Sequence, residues 1–177
     1  MNRKIQIGIM GSQSDLNYSK ECEKCAKELG RLIAKSNNIL VYGAEKDFNS
    51  LSTISAKEAS KNNGITVGVT YNKDKNTYGD FNPTVIIPSG LGVGGGREFT
   101  LVLSCDVIIA IGGGSGTLNE ICVAYQAGIP IVVIDKYEGW SKELANRYLD
   151  SRNRLKCIGV SNAKDAVNKA IELVNNT

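Results

Sequence analysis

Histidine is absent from the 177-residue chain. Without imidazole, a Ser-His-Asp or Cys-His nucleophile pair, histidine acid–base chemistry and any His-containing metal site are excluded. Any catalysis must fall to carboxylate, Arg, Lys, Tyr, Ser, Thr, Cys or backbone groups. No apolar run approaches a membrane span. The opening MNRKIQIGIM enters a strand pattern directly, its apolar stretch too short and too interrupted for a signal h-region, so the expected location is cytoplasmic, with no membrane partner. The five cysteines are an odd number and fit reduced thiols rather than a disulfide framework. Positive charge is not massed either: 21 Lys and Arg stand against 18 Asp and Glu, a net +3, and their scatter gives nucleic acid no electrostatic footing. Internal repeats, low-complexity tracts and linkers are missing, as is the G-K-[ST] ending of a P-loop.

What is present alternates. Short β-branched runs at Ile5–Met10, Ile39–Tyr42, Ile65–Thr70, Val85–Ile87, Val107–Ile111 and Ile131–Ile134, with a short seventh over 156–160, predict strands. Between them, helical spacing predicts helices from about Asp15 to Lys35, Leu51 to Lys61, Arg97 to Ser104, Leu118 to Ala127, Ser141 to Tyr148 and Ala163 to Val174, the last capped by Ser161 or Asn162. Residues 71–83, polar and without period, predict an exposed loop of the kind that borders sites. The length fits one domain over 1–177. The expected fold is α/β: a single-domain, doubly wound, mostly parallel Rossmann-like sheet with helices on both faces. Cys22 and Cys25 fall on the apolar face of the first helix and are expected to pack there, not to bind metal.

Ligands of such sheets bind at the carboxyl ends of strands. Two turns emerge on that rim, Gly11-Ser12 after the first strand and Gly112-Gly113-Gly114-Ser115-Gly116-Thr117 after the fifth. Four glycines in five positions let main-chain N–H groups crowd round a ligand. The helix that follows offers unpaired donors at its positive end, so the turn is read as a phosphate site. Glu120, one turn inside, is placed to face the same pocket. Arg97 opens a helix after Gly94-Gly95-Gly96 and is suited to fork two hydrogen bonds to phosphate; a surface salt bridge is the competing reading. Gly112-x-Gly114-x-x-Thr117 with Asp135 beyond also comes near a dinucleotide fingerprint, a minor alternative.

From Arg97 to Glu120 the sequence resembles the LONELY GUY family of nucleoside 5′-monophosphate phosphoribohydrolases, also called lysine-decarboxylase-like. An Arg precedes Gly113-Gly114-x-Gly116-Thr117-x-x-Glu120 at the family's interval, Gly11-Ser12 is similar to its first-strand G-S, and Val41-Tyr42-Gly43 to the start of its V-Y-G-G-G segment. Gly112 replaces the signature Pro, Ala44-Glu45 replace two glycines, Glu98 stands at a common Lys and Leu103 at a usual second Arg. These departures look more like the sister branch that contains the molybdenum cofactor carrier proteins. The resemblance implies Arg97 and Glu120 as catalytic residues, with Gly11, Ser12, Gly43, Gly112, Gly113, Gly114, Ser115, Gly116 and Thr117 on the phosphorylated ligand. No metal and no resident cofactor are expected. One implied function is hydrolysis of a nucleoside 5′-monophosphate to free base and ribose 5-phosphate; the other is a non-catalytic carrier or sensor of a phosphorylated ligand such as a pterin cofactor. It further implies a homo-oligomer, a dimer or tetramer.

Overall fold

A computed structural model of the chain describes residues 3–176. Its strands are β1 (Gln6–Gly11), β2 (Ile39–Gly43), β3 (Ile65–Thr70), β4 (Val85–Pro88), β5 (Val107–Ile111), β6 (Ile131–Ile134) and β7 (Ile158–Val160). The central ones read as continuous aliphatic runs because both their faces are covered. All seven pair in parallel in the order β4-β3-β2-β1-β5-β6-β7. The α/β, Rossmann-like, doubly wound sheet predicted from the alternation is therefore wholly parallel. Its strand order reverses between β1 and β5, so the loops leaving these neighbours diverge and open a crevice at their carboxyl ends.

The helices are α1 (Lys20–Lys35), α2 (Leu51–Lys61), α3 (Arg97–Leu103), α4 (Ser115–Ala127), α5 (Trp140–Glu143) and α6 (Ala163–Asn175). Strand residues alternate between two cores. Val107, Ile109 and Ile111 of β5 join Ile7 and Ile9 of β1 beneath α1, α2 and α6, while Ile108, Ala110 and Met10 face Leu101, Val102, Ile121 and Ala124 of α3 and α4. Each fully buried aliphatic side chain contributes roughly 1.5–3 kcal/mol. Helix α1 approaches α2 closely at Gly30, where a Cβ would fall onto the carbonyl of Ser55; the Ser55 hydroxyl donates to the carbonyl of Ala26 at 2.7 Å. All five cysteines are unpaired, and Cys22 and Cys25 are buried in the first core.

Three element boundaries differ from the sequence reading by three residues or more. Helix α1 begins at Lys20, not near Asp15: residues 14–16 make one 3-10 turn, Asn17 turns left-handed (φ 50°), and Ser19 caps the helix by accepting from the Cys22 N–H at 3.1 Å. Helix α4 begins at Ser115, three residues earlier than the apolar spacing showed. Helix α5 is one turn long and not eight residues, because Asn146 turns left-handed (φ 60°) and the chain folds back to pair Tyr148 with Lys156. Asn162 supplies the α6 cap, accepting from the Asp165 N–H at 2.9 Å. The predicted 71–83 loop contains a single 3-10 turn at Tyr78–Asp80.

Candidate functional site

A cavity of about 570 Å³ occupies the crevice between the β1 and β5 loops. Gly114 caps α4, and Gly114, Ser115, Gly116 and Thr117 line the cavity. Leu118 is the first residue whose N–H bonds back into the helix, to the Gly114 carbonyl at 3.0 Å. The N–H groups of Ser115, Gly116 and Thr117 therefore sit at the positive end of the α4 dipole without an intrahelical acceptor. A Cβ built on Gly116 would meet nothing within 4 Å. Packing does not demand that glycine; its effect is to leave the cavity surface open.

The other glycines of the turn hold it in place. Gly112 and Gly113 adopt φ of 62° and 100°. The Gly113 N–H donates to the Ser12 hydroxyl at 2.7 Å, and the carbonyls of Gly112 and Gly113 accept from the Ser141 and Trp140 N–H groups at 2.9 and 3.0 Å. The Gly113 N–H that the sequence reading offered to phosphate is thus committed to Ser12. Of the residues singled out from sequence, Gly11, Gly43, Arg97, Gly114, Ser115, Gly116, Thr117 and Glu120 come together around this cavity. Ser12 and Gly113 line a second cavity of about 510 Å³ that shares Leu16 and Gly114 with the first; Gly112 and Asp135 line neither.

Arg97 is 4% exposed, which removes the surface salt bridge as its explanation. Its Nη2 donates to the Tyr71 hydroxyl at 2.7 Å and to Glu45 Oε1 at 3.4 Å, and its guanidinium lies 4.2 Å from the Tyr71 ring centroid. Tyr71 in turn donates to Glu98 Oε1 at 2.9 Å. Nε, 3.7 Å from Glu98 and too far for a hydrogen bond, and Nη1 are both buried without an acceptor. Nη1 occupies the place where a Cβ on Gly43 would stand, so Gly43 is the residue that admits the guanidinium. Leaving a buried donor unpaired costs about 1–3 kcal/mol, more when it is charged, and an incoming anion would relieve it.

Glu120 is 8% exposed and accepts no hydrogen bond among the described residues. Burial pushes its carboxyl up to about 7; Arg97 pulls against this, while Glu98 and Glu45 reinforce it. Burial likewise raises Glu45, opposed by Arg97, and lifts the Tyr71 phenol to about 12. The cavity therefore holds a carboxyl whose burial outweighs the pull of the nearby Arg97 cation. Tyr71, Glu45 and Glu98 escaped the sequence reading as site residues. The two glutamates were visible only as departures from a motif, and Tyr71 only as the first residue of a polar loop.

Fold and site together define a doubly wound α/β protein with an open helix N-terminus lining a cavity after its fifth strand and a buried Arg–carboxylate cluster beside it. The chain belongs to the SLOG cluster4 family, whose pattern matches residues 4–167. An uncharacterised protein of Archaeoglobus fulgidus is 31% identical over 124 residues, 70% of this chain and 76% of that protein. Among solved structures, the molybdenum cofactor binding protein of Rippkaea orientalis is similar at TM-score 0.79 and 26% identity, covering 98% of this chain and 99% of that one. TM1055, a structural-genomics target, has a TM-score of 0.83 at 23% identity over 95% of this chain and 99% of its own. The molybdenum cofactor carrier protein of Chlamydomonas reinhardtii has a TM-score of 0.75 at 23% identity over 99% and 100% of the two chains. At that identity these last two share the fold.

Proposed function

We propose that the cavity binds a phosphorylated, nucleotide-like small molecule, with its phosphate held by the Ser115, Gly116 and Thr117 N–H groups and by Arg97. The observation that carries this reading is Arg97, a guanidinium buried with two N–H-bearing nitrogens unpaired beside open helix-terminal donors. We propose further that the ligand is a nucleoside 5′-monophosphate and that the protein cleaves its N-glycosidic bond. In that reaction the C1′–N bond breaks as the protonated Glu120 carboxyl gives its proton to the departing base. A water oxygen then bonds to C1′, and its released proton returns to Glu120, leaving free base and ribose 5-phosphate. Arg97 holds the charge of the phosphate through both steps.

Incubation of the protein and its Glu120→Gln variant with a panel of nucleoside 5′-monophosphates, read by chromatography, tests the chemistry. Base release by the native protein and at least a hundredfold less by the variant is the expected result. Binding without release by either would reject hydrolysis and leave a carrier of a phosphorylated pterin as the reading. That second reading draws support from the 26% identity over nearly the whole chain to the Rippkaea orientalis protein. We also propose a homo-oligomer: Leu91, Val93, Phe99 and Leu103 are exposed, Val93 at 84%, and the latter two lie one turn apart on α3.

A further inference from the structure

The cavity carries more hydrogen-bond acceptors than a phosphate ester needs. Asp15, Glu45, Glu98 and Glu120 line it against the single guanidinium of Arg97. Glu45 spends Oε1 on Gln13 Nε2 at 2.8 Å and on Arg97, and Glu98 spends Oε1 on Tyr71. The Oε2 atom of each accepts no hydrogen bond among the described residues. A phosphate brings only acceptors, so the rest of the ligand must supply the donors. Phe48 lines the same cavity from the same β2–α2 loop as Glu45 and is 48% exposed, an aromatic face with room for a flat ring. A ring stacked on Phe48 could turn an N–H-bearing edge toward the free Oε2 of Glu45, which lines the cavity from the same loop. A 2-amino-4-oxopyrimidine ring, as in guanine or a pterin, presents a ring N–H beside an amino group. Adenine presents an amino group beside a ring lone pair, which a carboxylate repels.

We infer that Glu45 selects the ring of the ligand, accepting from the N–H edge of a 2-amino-4-oxopyrimidine stacked on Phe48. This rests on the phosphate-binding reading above, and the two can fail separately. The full chain is titrated calorimetrically with carbocyclic analogues of GMP, IMP and AMP, whose base cannot be released by glycosidic hydrolysis, with a hydroxymethylpterin phosphate, and with ribose 5-phosphate. The guanine analogue is expected to bind about tenfold or more tightly than the hypoxanthine and adenine analogues, because each of those loses a donor that the site's acceptors are left without. Glu45→Gln, which offers one donor and one acceptor, is expected to abolish that preference and raise affinity for the adenine analogue. Glu45→Asp keeps the acceptors and is expected to retain the preference. Phe48→Ala is expected to weaken every ring-bearing ligand alike and leave ribose 5-phosphate unchanged. The tighter of the guanine analogue and the pterin phosphate names the source of the ring. Equal or tighter binding of the adenine analogue, or a preference that survives Glu45→Gln, overturns the inference. Ribose 5-phosphate bound as tightly as any ring-bearing ligand overturns it while the phosphate reading stands, and no binding of any phosphate ester overturns both.

Discussion

Single positions in this site separate what stability needs from what a ligand needs. Gly116 stands in open space inside the first turn of a helix. Gly116→Ala should therefore leave the fold intact, or stabilise it by up to ~1 kcal/mol, while its methyl group should crowd the N–H groups proposed to hold phosphate. Thermal unfolding and phosphate-ester binding measured on one preparation should move in opposite directions, and a joint loss would contradict the assignment. Gly43 is the converse case. Its missing Cβ makes room for Arg97 Nη1, so Gly43→Ala and Arg97→Lys are both expected to weaken phosphate-ester binding in a calorimetric titration, although residue 43 has no side chain to offer a ligand. Glu120 adds a pH dependence. Its folded pKa of about 7 lies above the ordinary 4.5, so the native state holds a proton that the unfolded chain releases, and stability falls as pH rises from about 4.5 to about 7. Glu120→Gln cannot ionise. It should be more stable than the native protein at pH 8, by up to ~3 kcal/mol, with the advantage vanishing toward pH 4; urea unfolding at both values measures the difference. If Glu120 is the proton donor, base release by the native protein should also decline above about pH 7. Of the cluster, Arg97 and Glu120 were singled out in the sequence by their places beside glycine turns and by the family resemblance. Glu45 and Tyr71 were not, since they are 52 and 26 residues from Arg97 in sequence and nothing local marks their convergence.

At the scale of elements, strands and long helices were legible because burial on one or two faces imposes a period. Helix α2 runs from Leu51 to Lys61, as its pattern predicts. The boundaries that differed are those fixed by polar turns: Asn17 and Asn146 take left-handed angles that apolar spacing does not report, and the start of α4 is set by Gly114 rather than by any apolar residue. The α1–α2 contact carries its own prediction. A Cβ at Gly30 would overlap the Ser55 carbonyl, backbone that cannot swing aside, so Gly30→Ala should cost ~2 kcal/mol or more despite the better helix propensity of alanine. An unchanged urea midpoint would show that the helices can separate without penalty. Ser12→Ala would orphan the buried Gly113 N–H and should cost about 1–3 kcal/mol, loosening the turn that ties the β1 and β5 loops together.

For the whole molecule, the wholly parallel sheet places the site by topology: the order reverses between β1 and β5, and the cavity lies at that reversal. No helix among the described residues is long and apolar enough to cross a membrane. The exposed aliphatic and aromatic residues on and before α3 predict self-association, which light scattering coupled to size exclusion would register as a mass above 19.0 kDa. Leu103→Glu should shift that mass toward the single chain, and a native protein already at the single-chain mass would refute the assembly. By itself the sequence determined the alternation of strands and helices and the two glycine turns on one rim, because each is written in local period or spacing, while Arg97 and Glu120 were joined in one site by the family resemblance. Only the tertiary structure decided that the Gly112–Gly113 half of the turn is structural and the Ser115–Thr117 half is open. It also decided that Gly43 makes room for a guanidinium and that Glu45, Glu98 and Tyr71 surround it. Burial and unpaired donors belong to contacts between distant segments, and no local pattern along the chain records which segments will meet.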